Sequence, residues 1–127
     1  MKYFLALSIA LVSSGACAQQ PLDANAAAAW YSGVTVEGTT SDGSAFRAYH
    51  EPSGKIKGLV AGQFSNDGTW KVSDDGSVCV DWRDSAWGKH PCYWIKEDSD
   101  GFWKLERVDD PKNVTRVRRI EGNKHKM

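Results

Sequence analysis

The chain has 127 residues, 41% of them hydrophobic, which is the size and apolar content of a single globular domain. Its 16 Lys and Arg balance 16 Asp and Glu, so no overall basic field marks it for a polyanion such as nucleic acid. That balance hides an asymmetry: residues 19–111 hold fifteen acids and nine Lys or Arg, whereas residues 112–127 hold six bases and Glu121 alone.

The chain opens with Met1-Lys2, an apolar stretch from Tyr3 to Val12, and small residues leading to Ala16-Cys17-Ala18. A positive start, a short apolar run and an A-x-A pattern are the marks of a secretory leader, so residues 1–18 are expected to be removed. The run is too short to span a bilayer, which needs about 20 apolar residues. Acylation of Cys17 is the lesser alternative, because Ser13-Ser14-Gly15-Ala16 lacks the leucine-like residue usual upstream of a lipidated cysteine. The expected location is therefore periplasmic or secreted, with a β domain over 19–111 and a basic segment over 112–127.

Asp23 is placed to cap a short helix through Ala24 and Ala26 to Ala29 as far as Trp30, and Gly33 to end it. Strand signals then recur at hairpin spacing over 34–39, 45–50, 55–60, 69–73, 77–82, 91–96 and 102–108, with an eighth at 114–120. Ser41-Asp42-Gly43, Pro52-Ser53-Gly54, Asp67-Gly68, Asp75-Gly76 and Asp100-Gly101 read as the intervening turns. No crossover helix interrupts them. The predicted fold is all-β, an antiparallel meander of seven or eight short strands after a short helix, forming a small barrel or a strongly bent sheet.

In an oxidising compartment Cys79 and Cys92, the pair left after leader removal, are expected to form a disulfide. A loop of this size contributes about 3 kcal/mol in chain-entropy models. Pairing the two sets a register in which Val78 opposes Tyr93, Asp81 opposes His90, and the loop closes tightly around Ser85-Ala86. Val78, Val80, Trp82, Tyr93 and Ile95 then share the core face, and Cys79, Asp81, His90, Cys92 and Trp94 the other.

The order Gly33-x-Thr35-Val36-x-Gly38-Thr39, Asp42-Gly43, Phe46, Gly54-x-x-x-Gly58, Asp67-Gly68-Thr69-Trp70-x-Val72, then Cys79 and Cys92, resembles small exported proteobacterial proteins of the domain of unknown function 995 type. The resemblance runs from about Ala29 to Val108, and Gly122-Asn123 is similar to that family's close. The final Lys124-His125-Lys126-Met127 departs from it. Because these motifs are glycines, a tryptophan and two cysteines, the resemblance implies fold and export but assigns no catalytic residue.

Enzyme chemistry finds little footing. Asp81 and His90 are the acid–histidine pair that the register brings together, with Ser85 near the loop tip, but G-x-S-x-G, H-E-x-x-H and a phosphate loop are missing. A cross-strand pair is the simpler account. His50-Glu51 beside Pro52 reads as a turn rather than a metal ligand, and Asn66, Asp67, Asp74 and Asp75 lack the spacing of a calcium loop. No metal or cofactor is assigned. Of the six tryptophans, Trp70, Trp82 and Trp103 alternate with apolar residues as core positions do. Trp87 and Trp94 are harder to bury and, with Asp81 and His90, form the candidate binding surface. The functional expectation is a non-enzymatic binding module for a protein or cell-envelope component. An envelope-acting hydrolase is one alternative, and a small apolar-ligand carrier another if the barrel encloses a cavity.

Overall fold

The alanine run after Asp23 forms helix α1 (Ala24–Tyr31) in the computed structural model, which describes residues 20–61 and 65–127. The leader and Cys17 lie outside the described residues. The Asp23 carboxylate accepts the Ala26 N–H at 2.8 Å, and Gly33 turns the chain out of the helix at φ 72°. Eight strands follow: β1 (Val34–Thr39), β2 (Ala45–His50), β3 (Lys55–Val60), β4 (Ser65–Val72), β5 (Val78–Trp82), β6 (Cys92–Glu97), β7 (Trp103–Arg107) and β8 (Val114–Glu121). Each pairs antiparallel with the next, and β8 returns to β1, so the meander is a closed barrel without sheet edges. Closure runs from Val34 opposite Glu121 to Thr39 opposite Arg116.

One expected turn is a strand interior. Asp67 and Gly68 lie within β4, where Gly68 faces Ile56 on one side and Trp82 on the other. A Cβ at Gly68 would stand 2.0 Å from the Asp81 carbonyl oxygen, and one at Gly38 would stand 1.8 Å from that of Arg116. Only glycine permits these approaches, so both mark bends of the barrel wall rather than hairpins. The β3–β4 connection falls instead after Val60, where residues 62–64 lie outside the described ones.

Alternation along the strands sends Val34, Val36, Ala48, Ile56, Val78, Val80, Trp82, Ile95, Leu105 and Val117 inward, all buried. Fully burying each such side chain is worth about 1.5–3 kcal/mol. Helix α1 closes one end of the barrel with Ala27, Trp30 and Tyr31. Trp30 meets Trp103 at 5.2 Å between ring centroids, and Arg119 donates from Nε to the Trp30 carbonyl at 2.8 Å. Leu22 N–H bonds to the Ile95 carbonyl at 3.0 Å, which fastens the approach to the helix onto β6.

Cys79 and Cys92 form the disulfide, with Cα atoms 4.0 Å apart and Val78 opposite Tyr93. The staple sits at a weak seam. Only the pairs Val78–Tyr93 and Cys79–Cys92 join β5 to β6, whereas each other neighbouring strand pair has four or more. This ladder ends at Cys79–Cys92, with one further bond from the Val80 N–H to the Pro91 carbonyl, so residues 83–91 do not close tightly around Ser85-Ala86. They form a 3-10 turn over Ser85–Trp87, capped by Asp84, that carries Trp87 across the open end.

A cavity in the barrel and the outer patch

The plugged and open ends of the barrel define a cavity of about 280 Å³ between them. Its floor is Tyr31, from α1, and His50, the last residue of β2. Its walls include Val36, Ile56, Val60, Val80, Trp82 and Leu105, and its mouth is rimmed by Thr40, Ser41, Asp42, Ala86 and Asn113. Trp87 leans into the mouth, 4.7 Å from Trp82 and 6.2 Å from Phe46 between ring centroids, both edge-on. Gly58 makes this packing possible, since a Cβ there would lie 2.8 Å from both Trp82 and Trp87.

The loop that carries Trp87 is fixed by Asn66, a buried polar side chain. Its Nδ2 donates to the Asp84 carbonyl at 2.9 Å, and its Oδ1 accepts the Asp84 N–H at 3.1 Å. Arg83 adds an ion pair to Asp67 at 2.6 Å, half out in solvent. Asn66, weighed from sequence only as part of an acidic cluster without calcium-loop spacing, carries no local signal of this role.

Polar side chains are interspersed with the apolar ones: Tyr31 and His50 at the floor, Tyr93, Arg107 and Thr115 along the wall, and Asp42 and Asn113 at the mouth. His50 and Tyr31 are each 2% exposed and stack with ring centroids 4.0 Å apart. His50 is therefore not a turn residue, because barrel closure brings the end of β2 against α1. Burial pushes its pKa down to about 3, opposed only by a hydrogen bond to the Val34 backbone, and its Nδ1 has no partner among the described residues. Burial likewise raises Tyr31 above the ordinary tyrosine value, with the Tyr93 phenol adding to the effect. Tyr93 also lines the cavity and is raised by burial. On the wall, the Arg107 guanidinium is held by Asp109 through two bonds of 2.9 Å. That pairing raises Arg107 and lowers Asp109.

The residues singled out from sequence divide between inside and outside. Asp81 and His90 do meet, at 3.4 Å, but on the outer wall with side chains 64% and 74% exposed. Trp94 is half-buried on the same outer side of β6, whereas Trp87 belongs to the cavity mouth. Ser85 is exposed at the start of the 3-10 turn. This outer patch has no enclosing walls, and the one large hydrophobic side chain exposed among the described residues is Val108. No group of three or more metal-ligating side chains clusters among the described residues. The basic C-terminal segment continues β8 and then lies on the outside of the barrel. There Lys124 and His125 hold Glu37 at 2.8 and 2.9 Å.

Compared with family models, curated proteins and solved structures, the chain matches none.

Proposed function

We propose that this protein is an exported carrier of a small, mainly apolar molecule held inside the barrel. The observation that carries the reading is the 280 Å³ cavity, plugged at one end by α1 and walled by aliphatic and aromatic side chains. It is about twice the volume of an engineered apolar cavity of about 150 Å³ that takes benzene, and aromatic and aliphatic side chains that bury a ligand beside polar groups that orient it are the usual make-up of a ligand site. Export fits the leader-like first 18 residues and the disulfide, and no helix among the described residues is long and apolar enough to cross a membrane. The resemblance to domain of unknown function 995 proteins belongs to the same reading, since it too implies an exported β domain.

Docking of a protein or envelope component on Asp81, His90 and Trp94 is the second reading, supported by the ion pair and the neighbouring half-buried indole. Titrating the ¹⁵N-labelled protein with naphthalene separates the two. A carrier shows saturable one-to-one shifts of the Trp82 and Trp87 indole signals, lost in Val60→Trp, which fills the cavity. Unmoved indole signals, or shifts that survive Val60→Trp, would overturn the carrier reading.

A further inference from the structure

The cavity floor carries a buried polar atom. Tyr31 and His50 are almost completely buried there, and His50 Nδ1 has no partner among the described residues. The Tyr93 phenol also lines the cavity, close enough to Tyr31 to influence it electrostatically. Leaving a buried polar group unsatisfied is costly, and native interiors tolerate few of them. An unpaired imidazole nitrogen facing a cavity beside a phenol is better explained as a recognition point than as packing, because Phe or Leu would fill the same space without that cost.

The chemistry of the floor restricts what it can recognise. The His50 ring N–H that bonds the Val34 backbone is on Nε2, so the neutral imidazole presents Nδ1 as an acceptor, while a phenol both donates and accepts. A hydroxyl group complements the pair, since it can donate to Nδ1 and accept from the phenol. A carboxylate does not suit the floor, because it would be desolvated beside an imidazole that burial keeps neutral. The cation that lines the cavity, Arg107, is already in a two-point pair with Asp109. Above the floor, the rings of Trp82, Trp87 and Phe46 offer flat faces and edges.

Resting on the carrier reading, we propose that the cavity takes a small, uncharged, flat ligand with a hydroxyl group, seated hydroxyl-down against Tyr31 and His50. Phenolic and fused-ring alcohols are the chemical class. The hydroxyl supplies specificity and the ring system supplies affinity.

Three probes of the same ring size test this on the full mature protein: naphthalene, 2-naphthol and 2-naphthoate, each titrated at neutral pH and followed by the indole signals. 2-Naphthol should bind about fivefold or more tightly than naphthalene, the effect of about one hydrogen bond, and 2-naphthoate more weakly than either. Tyr31→Phe and His50→Phe should weaken 2-naphthol binding more than naphthalene binding, so that the naphthol advantage disappears. Should either variant fail to fold, nuclear Overhauser contacts in the wild-type complex decide the question: the proposal requires naphthol contacts to Tyr31 and His50. Equal affinity for naphthol and naphthalene, tightest binding of naphthoate, or contacts confined to Arg107 would overturn the hydroxyl proposal while the carrier reading stands. Failure of all three probes to bind would remove the carrier reading itself.

Discussion

His50 lies face-to-tilted-face on Tyr31, ring centroids 4.0 Å apart and planes at 47°, where the end of β2 meets the last residue of α1. The contact makes stability depend on pH in a defined direction. Buried His50 is held at about 3 against an ordinary 6.5, so between those values the unfolded chain binds the proton and the folded one does not. Stability from this group is fully present above pH 6.5 and is lost as pH falls toward 3, by on the order of 4 kcal/mol. Denaturant midpoints measured from pH 7 to pH 3.5 should fall steeply for the wild type and much less for His50→Phe. Equal slopes would show that His50 is not buried neutral.

The glycines of the wall rank by what stands opposite them. A methyl at Gly58 meets the far edges of Trp82 and Trp87 at 2.8 Å, and side chains can shift, so Gly58→Ala should cost about 1–3 kcal/mol as overpacking. A methyl at Gly68 meets the Asp81 backbone oxygen at 2.0 Å, where relief means parting β4 from β5. Gly68→Ala should therefore be the more damaging change. Equilibrium unfolding of the two variants gives the order directly. Gly58→Ala should also weaken naphthalene binding, because it displaces the rings that line the mouth.

Reduction of the disulfide should act locally before it acts globally. The β5–β6 seam is held by two residue pairs and the staple, and removing the staple costs about 3 kcal/mol. Amide exchange should accelerate first at Val80, whose N–H bonds to the Pro91 carbonyl at 2.9 Å, and in residues 83–91. β1 and β2, joined by six pairs, should keep their protection. Uniform acceleration across the barrel would contradict this assignment.

How far these relationships can be read from the sequence depends on whether they are local. Alternation and the turns at Gly43, Gly54, Gly76 and Gly101, all at positive φ, mark the hairpins. The cysteine pair transmits register as far as Asp81 and His90, which do meet. Gly68 misleads because glycine signals both a turn and a close approach, and only the neighbouring strand distinguishes them. Closure of β1 on β8 joins residues about eighty positions apart, for which no local pattern exists. The cavity follows from that closure. Tyr31, His50 and Tyr93 look like ordinary element residues until the barrel turns them toward one space. Trp87 looks exposed until Asn66 pins its loop.

The C-terminal segment supplies a further pH-dependent contact, on the outside of the wall. Glu37 on β1 accepts hydrogen bonds from Lys124 at 2.8 Å and His125 at 2.9 Å, and those bonds hold its carboxyl below the ordinary value of 4.5. A carboxyl lowered in this way favours the docked segment above that value and loses its hold as pH falls through the lower, folded one. Both partners are partly exposed, so the contribution should be no more than about 1 kcal/mol and should shrink in high salt. Glu37→Gln should therefore barely move the global unfolding midpoint. It should instead let residues 124–127 loosen at neutral pH, visible as narrowed Met127 methyl signals, which the wild type should show only in acid. A tail that stays equally ordered in Glu37→Gln would mean that the two bonds between the Asn123 side-chain amide and the Met127 backbone, both 2.8 Å, and the Lys124 N–H to Thr35 hydroxyl bond at 3.2 Å hold it without the carboxylate.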